Sequence, residues 1–170
     1  MNEHTEQKHD GPTPRAEARA LLLLRAGGLA FAVYAEECEC VTPWAEPAPL
    51  PHAPAAVLGV ASVRGRMRTV LDPARLLEGA GQTHERPAAA HAFLASLNGD
   101  EQLALACESS APLTLGPDER VSTQPSPAFP TRGTFQHDGE TVHLLDPARL
   151  FDAAMSGTER RRQRAVNGEP

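Results

Sequence analysis

The chain has 170 residues, a formal net charge of −6 and three cysteines, which allows one domain, or two small lobes that share a core, with tails. Residues 21–155 carry 9 arginines and no lysine against 16 acidic residues, and so acidic a body argues against nucleic acid as a partner. The leucine run Leu21 to Leu24 ends at Arg25 and is too short to span a membrane, and the polar first residues do not resemble a signal peptide, so we expect a cytoplasmic protein without membrane insertion.

Two short apolar runs open the part of the chain that is predicted to fold. Residues 1–19, which precede them, are polar and predict a disordered arm. The runs on either side of Gly27-Gly28 predict a β-hairpin, because a glycine pair accepts the positive φ of a two-residue turn. Residues 35–41 allow a helical turn followed by a strand, and the proline-rich stretch 43–54 predicts an extended loop.

A second hairpin follows the proline-rich loop. The apolar runs Val57–Val63 and Met67–Leu71 flank the turn Arg64-Gly65-Arg66, where Gly65 supplies the unusual backbone angle and the arginines stand exposed. A short helix is predicted after the second run. Residues 79–90 then have the composition of a linker between lobes.

The second half of the chain contains two further hairpin signals. Asn98-Gly99 lies between apolar runs and is the strongest short hairpin signal in the sequence. Asp138-Gly139 marks the turn of the last hairpin. Residues 155–170 are polar and contain an arginine cluster, which predicts a flexible basic tail.

These elements predict an all-β protein of eight to ten short strands with two short helices at the lobe ends. The regular hairpins favour two small, partly open barrels packed together, with lobes at about residues 20–79 and 91–154. Because a lobe of that size buries only a thin core by itself, the lobes are expected to pack against each other. Whether the lobes exchange strands is left open.

The sequence LDPARL occurs twice, starting at Leu71 and again at Leu145. Its aspartates, Asp72 and Asp146, each precede a proline, which is the arrangement of a helix N-cap followed by the first helical residue. The alternative is a general acid and base in a shared cleft, with His143 as a third member. The spacing of proline and leucine is fully explained by capping, which we therefore favour.

Two cysteines, Cys38 and Cys40, stand two residues apart and share a face of a strand. Such a pair can bind a soft metal together with His137 or His143, but no second pair or tight histidine spacing supports a metal site. We interpret Cys38, Cys40 and Cys107 as reduced packing residues, and the histidines as exposed polar positions that flank the last turn.

The segments LAFAV, APAAVLGVASVRGRMRTVLDPARLL and TRGTFQHDGETVHLLDPARL resemble the CheW-like family of chemotaxis coupling proteins in order and spacing. The resemblance covers residues 20–154. It implies two small five-stranded SH3-like β-barrel lobes and a non-enzymatic adaptor without cofactor or metal. The partners that it implies are the regulatory domain of a CheA-type histidine kinase and the cytoplasmic tip of a methyl-accepting chemoreceptor, so the protein would associate with membrane arrays through its partners.

Five residues are candidates for binding receptor or kinase by this resemblance. Gly59, Arg64 and Gly65 match the glycine and arginine–glycine positions of the family's binding turn. Cys40 stands where the family often has an acidic residue, and Arg68 where it has an aliphatic one. These two departures put the choice of partner in doubt, so the second hypothesis is a degenerate paralogue that keeps only one of the two interfaces. A metal-dependent hydrolase is a remote alternative, because no nucleophile motif or metal spacing supports it.

Overall fold

The computed structural model describes residues 18–78, 90–116, 120–123 and 130–166, with the side chains of α2 described as far as Ser156. Residues 79–89 of the predicted linker and residues 1–17 of the predicted N-terminal arm lie outside these residues. The described residues form ten strands in two five-stranded sheets, so the prediction of an all-β protein of two five-stranded lobes is confirmed. Neither strand order closes into a complete barrel within the described part of the chain.

The first sheet has the strand order β8-β1-β2-β10-β9 and combines both ends of the described chain. Its strands are β1 (Arg19–Ala26), β2 (Leu29–Tyr34), β8 (Ser109–Leu115), β9 (Thr131–His137) and β10 (Glu140–Leu145).

The second sheet has the order β3-β6-β7-β5-β4 and is built from the middle of the chain. Its strands are β3 (Cys38–Pro43), β4 (Val57–Val63), β5 (Arg66–Leu71), β6 (Phe93–Leu97) and β7 (Leu103–Cys107). In each sheet one parallel pair, β2 with β10 or β5 with β7, joins segments that are far apart in sequence. The strands are therefore exchanged between the halves of the chain.

Three of the hairpins turn in two residues that both have positive φ. In the turn between β4 and β5, Arg64 has φ +50° and Gly65 +79°, and Gly27-Gly28 and Asp138-Gly139 behave alike. Such turns match the right-handed twist of the strands. The predicted Asn98-Gly99 turn is different, because β6 and β7 are joined by a longer loop, residues 98–102.

The two sheets contain an internal repeat with an offset of 74 residues. β4 and β5 correspond to β9 and β10, and both hairpins carry an irregularity in their register. Gly59 and Gly133 are equivalent, and each lies beside a short bridge that a loop makes to the edge of its sheet. A Cβ at Gly133 would lie 2.6 Å from the carbonyl oxygen of Ser122, and one at Gly59 would overlap that of Ala48. Both glycines are therefore required by close backbone approach.

The hydrophobic core has one large cluster shared by the sheets and one smaller cluster in each lobe. The shared cluster includes Phe31 from β2, Leu105 from β7 and Leu150 from α2. Smaller clusters surround Phe135 in the first sheet and Val70 in the second. The sheets are thus held together by apolar packing, as the small size of each lobe requires.

Both repeats of LDPARL end in a helix, but the helices differ in length. α1 spans Pro73–Glu78, as predicted for a short helix, whereas α2 spans Pro147–Val166. α2 thus continues into the segment 155–170 that was predicted as a flexible tail. Alanine, methionine, arginine and glutamine are good helix formers, which accounts for the longer helix. No helix in the described part of the chain has the length and apolar character needed to cross a membrane.

Candidate protein interface

The turn between β4 and β5 presents a basic and partly apolar surface, formed by Arg64, Gly65, Arg66 and Met67. All four residues are exposed, and Met67, at 62%, is the most exposed of the large apolar residues in the described chain. The two-residue turn places Arg64, and with it the adjoining Arg66, at the exposed end of the hairpin. We call these four residues the hairpin surface. An exposed guanidinium at such a position can donate paired hydrogen bonds to a carboxylate of a partner.

A buried arginine lies behind the hairpin surface. Arg68 is only 2% exposed and forms an ion pair with Glu39, and its Nη1 donates a hydrogen bond to the carbonyl oxygen of Leu97 at 3.0 Å. Glu39 keeps 30% of its side chain exposed and lies 3.9 Å from Arg66. Arg68 therefore faces the lobe interior and contributes to the surface only through Glu39.

The chain passes from the first sheet to the second through residues Ala35–Cys40, which we call the crossing segment. It contains a 3₁₀ turn, Ala35–Glu37, and the first residues of β3. The amide of Asn98 donates to the carbonyl oxygen of Glu37 at 2.8 Å, and Asn98 Nδ2 donates to that of Glu36 at 2.7 Å. The asparagine of the predicted turn thus holds the crossing segment, which explains why the loop there is longer than two residues.

A second arginine contacts the crossing segment from the first sheet. Arg132 of β9 lies 2.6 Å from Oε1 of Glu37 and 3.3 Å from Oδ1 of Asp146, and its guanidinium stacks on the ring of Tyr34 at 5.4 Å. Burial alone would lower the pKa of Arg132, but the hydrogen bond and charge of Glu37, together with Asp146, raise it above its ordinary value. Arg132 therefore lies between two carboxylates, one on the crossing segment and one directly before α2.

Gly59 is part of the backbone scaffold behind the hairpin surface. It is buried in β4, and its φ is +145°. The tight approach of Ala48 explains the glycine without reference to a partner. Gly59 lies six residues before Gly65 on the same hairpin, so it shapes the support of the surface.

Cys40 is half-buried in β3 and packs against the apolar cluster of the second lobe. Burial, followed by the charge of Cys40, raises the pKa of Cys38. Burial, with smaller effects of Cys38 and Glu108, raises the pKa of Cys107 to about 12. The raised pKa values of Cys38 and Cys107 favour the neutral thiol, as expected for cysteines that pack in the interior.

The two aspartates of the repeat have different contacts. Oδ1 of Asp72 accepts hydrogen bonds from the amides of Ala74 and Arg75 at 3.0 and 3.4 Å, which confirms its role as a helix cap. The carboxylate of Asp146 instead accepts a hydrogen bond from Nη2 of Arg132 at 3.3 Å. The two carboxylates are thus engaged separately in structural contacts.

The histidines considered as possible metal ligands are half-buried rather than exposed. His143 contacts the ring of Phe31 at 5.9 Å, and burial lowers its pKa. His137 lies 3.5 Å from its neighbour Asp138. Within the described residues no group of three or more histidine, cysteine, aspartate or glutamate side chains is placed to hold a metal ion.

Several residues of this region were not identified from the sequence. The sequence pattern places Met67 in a strand and Asn98 in a tight turn, and Glu37 and Arg132 carry no motif. The signal that was available for Arg132 is its position, because the internal repeat aligns it with Leu58, an apolar residue. A comparison of the two repeats, residue by residue, identifies both Arg68, which is buried, and Arg132, which is half-buried.

The structure defines a class of protein: a two-lobed β-sheet protein with an exposed basic turn on one hairpin. The family model of the CheW-like domain matches residues 20–155. The structure is similar to that of the scaffolding protein TtCheW from Thermoanaerobacter tengcongensis, with a TM-score of 0.60 and 11% sequence identity over 76% of this chain and 89% of that one. No curated protein matches the sequence significantly.

The chain belongs to the CheW-like domain family. The resemblance noted from the sequence is thereby confirmed, and the family is one of non-enzymatic scaffold proteins. The fold supports a chemotaxis coupling adaptor in general. The hydrolase alternative has no place in this family.

Proposed function

We propose that this protein couples the cytoplasmic tip of a chemoreceptor to the regulatory domain of a CheA-type histidine kinase. It would act in the cytoplasm, at receptor arrays, in flagellar chemotaxis or a related motility pathway. The protein would need neither a catalytic residue nor a cofactor, because an adaptor acts by holding two partners together.

The observation that carries the proposal is the hairpin surface. It exposes two arginines and a methionine, on a two-residue turn and at the start of β5, in a protein whose net charge is −6. A helical partner with a carboxylate beside apolar side chains would complement it in both charge and packing. Methionine adapts its shape to such partners at little cost. Of the five candidate residues, Arg64 and Gly65 belong to this surface, while Gly59, Cys40 and Arg68 lie behind or beside it.

The first experiment measures binding of the purified full chain to two fragments from the same genome, the kinase regulatory region and a receptor tip. Titration calorimetry at moderate salt gives the affinity for each. Binding of both fragments, singly and together, is the expected result. Failure to bind either fragment would contradict the coupling role.

Replacing Arg64 tests the surface itself. We expect Arg64→Ala to weaken binding of one partner about tenfold, because a charge-assisted contact is lost. The melting temperature should change by only a degree or two, since the side chain is exposed. Arg25→Ala is the control: Arg25 is also exposed but lies at the β1–β2 turn, paired with Glu140 at 2.6 Å. Equal losses in both variants would refute a specific role of the hairpin surface.

A second candidate function is a modulator that keeps only one interface. It is favoured by the Arg68–Glu39 pair, which engages an acidic side chain next to the hairpin surface, and by Cys40, which replaces an acidic residue of the family pattern. Such a protein would bind the kinase fragment and not the receptor tip. The calorimetric experiment distinguishes it from the coupling adaptor directly.

A further inference from the structure

Two arginines from opposite sheets hold the same short stretch of chain. Arg68 of β5 pairs with Glu39, and Arg132 of β9 pairs with Glu37, so that both ion pairs fall on the crossing segment. The crossing segment is also where the chain changes from one sheet to the other. Each lobe therefore contributes one arginine that pairs with the crossing segment.

The internal repeat shows that neither arginine is needed to form its hairpin. Arg68 is equivalent to Val142, which is 1% exposed, and Arg132 is equivalent to Leu58. Each position thus holds an apolar residue in the other lobe, where the hairpin forms equally well. The arginines are additions to the hairpin architecture, and both additions reach the same segment.

The energetics of Arg68 also indicate a role other than stability. Taking a guanidinium out of water costs several kcal/mol, and an ion pair with a partly exposed partner repays this only in part. Among the described residues its Nε has no hydrogen-bond partner, so the burial is incompletely compensated. A residue of this kind is better explained by the conformation that it selects than by a gain in folding free energy.

We propose that Arg68 and Arg132 are positioning residues that hold the crossing segment in one conformation and thereby position the hairpin surface, which the segment contacts through Glu39. This inference rests on the proposed function, because that function assigns partner binding to the hairpin surface. Glu39 links the segment to the hairpin surface through Arg66, so the position of one affects the other.

The test uses the full chain and two variants that copy the apolar character of the equivalent positions. Arg68→Met keeps an unbranched side chain and removes the charge. Arg132→Leu introduces the residue type that the equivalent position, Leu58, holds in the other hairpin. Hydrogen exchange of peptides covering residues 35–41 measures how often the segment opens. Calorimetry measures the affinity for the kinase regulatory region and the receptor tip. Arg25→Gln, which removes an exposed arginine that pairs with Glu140 rather than with the segment, is the control.

We expect amide exchange in the crossing segment to become about tenfold faster in both variants and partner affinity to fall about tenfold. The melting temperature should stay the same or rise in Arg68→Met, because Glu39 is exposed enough to be hydrated when its partner is removed. If the arginines only stabilise the fold, the opposite is expected. The melting temperature should then fall, and exchange of residues 35–41 should change no more than the loss of global stability requires. Arg132→Lys, which retains the charge, should recover part of the affinity.

A double variant identifies the contact responsible. In a Glu37→Gln background Arg132→Leu should have little further effect on binding, since the interaction is already lost. Unchanged exchange in residues 35–41, or faster exchange with unchanged affinity for partners that the wild type binds, would overturn the inference. A wild type that binds neither fragment would refute the proposed function, and the exchange result would still show whether the arginines hold the segment.

Discussion

At the scale of single residues, Gly59 and Gly65 of the β4–β5 hairpin have different physical roles. Gly65 adopts positive φ in an exposed turn with open space around it, whereas Gly59 is buried against the backbone of Ala48. Both positions would be recorded as glycines of a binding motif from sequence alone. The structure separates the surface glycine from the one that allows two backbones to meet.

Gly59→Ala is expected to lower the free energy of unfolding by about 2 to 4 kcal/mol. The cost combines a backbone conformation that alanine disfavours with overlap between the new Cβ and the Ala48 carbonyl. Urea denaturation gives the value. Gly28→Ala is the matched control, because Gly28 has φ +75° and nothing within 4 Å of its added Cβ, so its cost should be about 1 kcal/mol. Similar losses in both variants would show that steric overlap contributes little.

The thiol of Cys107 provides a pH-dependent prediction. Burial raises its pKa to about 12, so the folded state favours the protonated thiol. The stability linked to this group is complete below the unfolded pKa of about 9 and is lost as the pH rises toward 12. We expect the free energy of unfolding of the wild type to fall relative to that of Cys107→Ala between pH 8 and pH 10.5, measured by urea denaturation. A constant difference would contradict the assignment of Cys107 as a buried neutral thiol.

At the scale of elements, identical sequences begin two helices that are anchored differently. Asp72 caps α1 and contacts Arg75, while Asp146 precedes α2 and contacts Arg132. The difference arises because Arg132 occupies a position that is apolar in the other lobe. The same local sequence therefore supplies a helix cap in one lobe and an ion pair with Arg132 in the other.

Removing these carboxylates should separate the two uses. Asp72→Ala is expected to cost about 1 to 2 kcal/mol of stability, because the amides of Ala74 and Arg75 lose their acceptor in a buried site. Asp146→Ala should cost less, since Arg132 keeps Glu37 as a partner. Denaturation midpoints of the two variants provide the comparison. A larger loss at Asp146 would mean that its contact with Arg132 outweighs the cap at Asp72.

At the scale of the whole molecule, the exchange of strands makes the two halves of the chain interdependent. The first sheet places β1 and β2 between strands of the second half, and the second sheet places β6 and β7 between β3 and β5. Neither half of the chain contains a complete sheet. The apolar cluster shared by the sheets adds to this dependence.

A split protein tests the consequence. Fragments 1–84 and 85–170, produced separately, should each lack cooperative unfolding, because each would lack two strands of one sheet and three strands of the other. Mixing the fragments should restore the β-sheet circular dichroism signal and a single unfolding transition. Cooperative unfolding of fragment 85–170 alone would show that its strands form a stable lobe without β1 and β2.

Local chemistry determined much of this protein from the sequence alone. Gly27-Gly28, Arg64-Gly65-Arg66 and Asp138-Gly139 predicted three turns, because each contains glycine, which adopts positive φ more readily than other residues. Asp72 before a proline predicted a helix cap for the same kind of reason. The order of these signals carried the family resemblance and with it the two-lobed β fold.

Only the tertiary structure decided which strands pair and where charges end up. β2 pairs with β10 and β5 with β7 across long sequence separations, which no local pattern encodes. The sequence marks Arg68 as a charge on a strand position where the family has an aliphatic residue, and Asn98 as part of a tight turn, yet both contact the crossing segment. Their roles depend on Glu39, Glu36 and Glu37, which come near only when the sheets assemble. Burial and pairing are properties of the assembled sheets, and therefore these contacts could not be read from the residues one at a time.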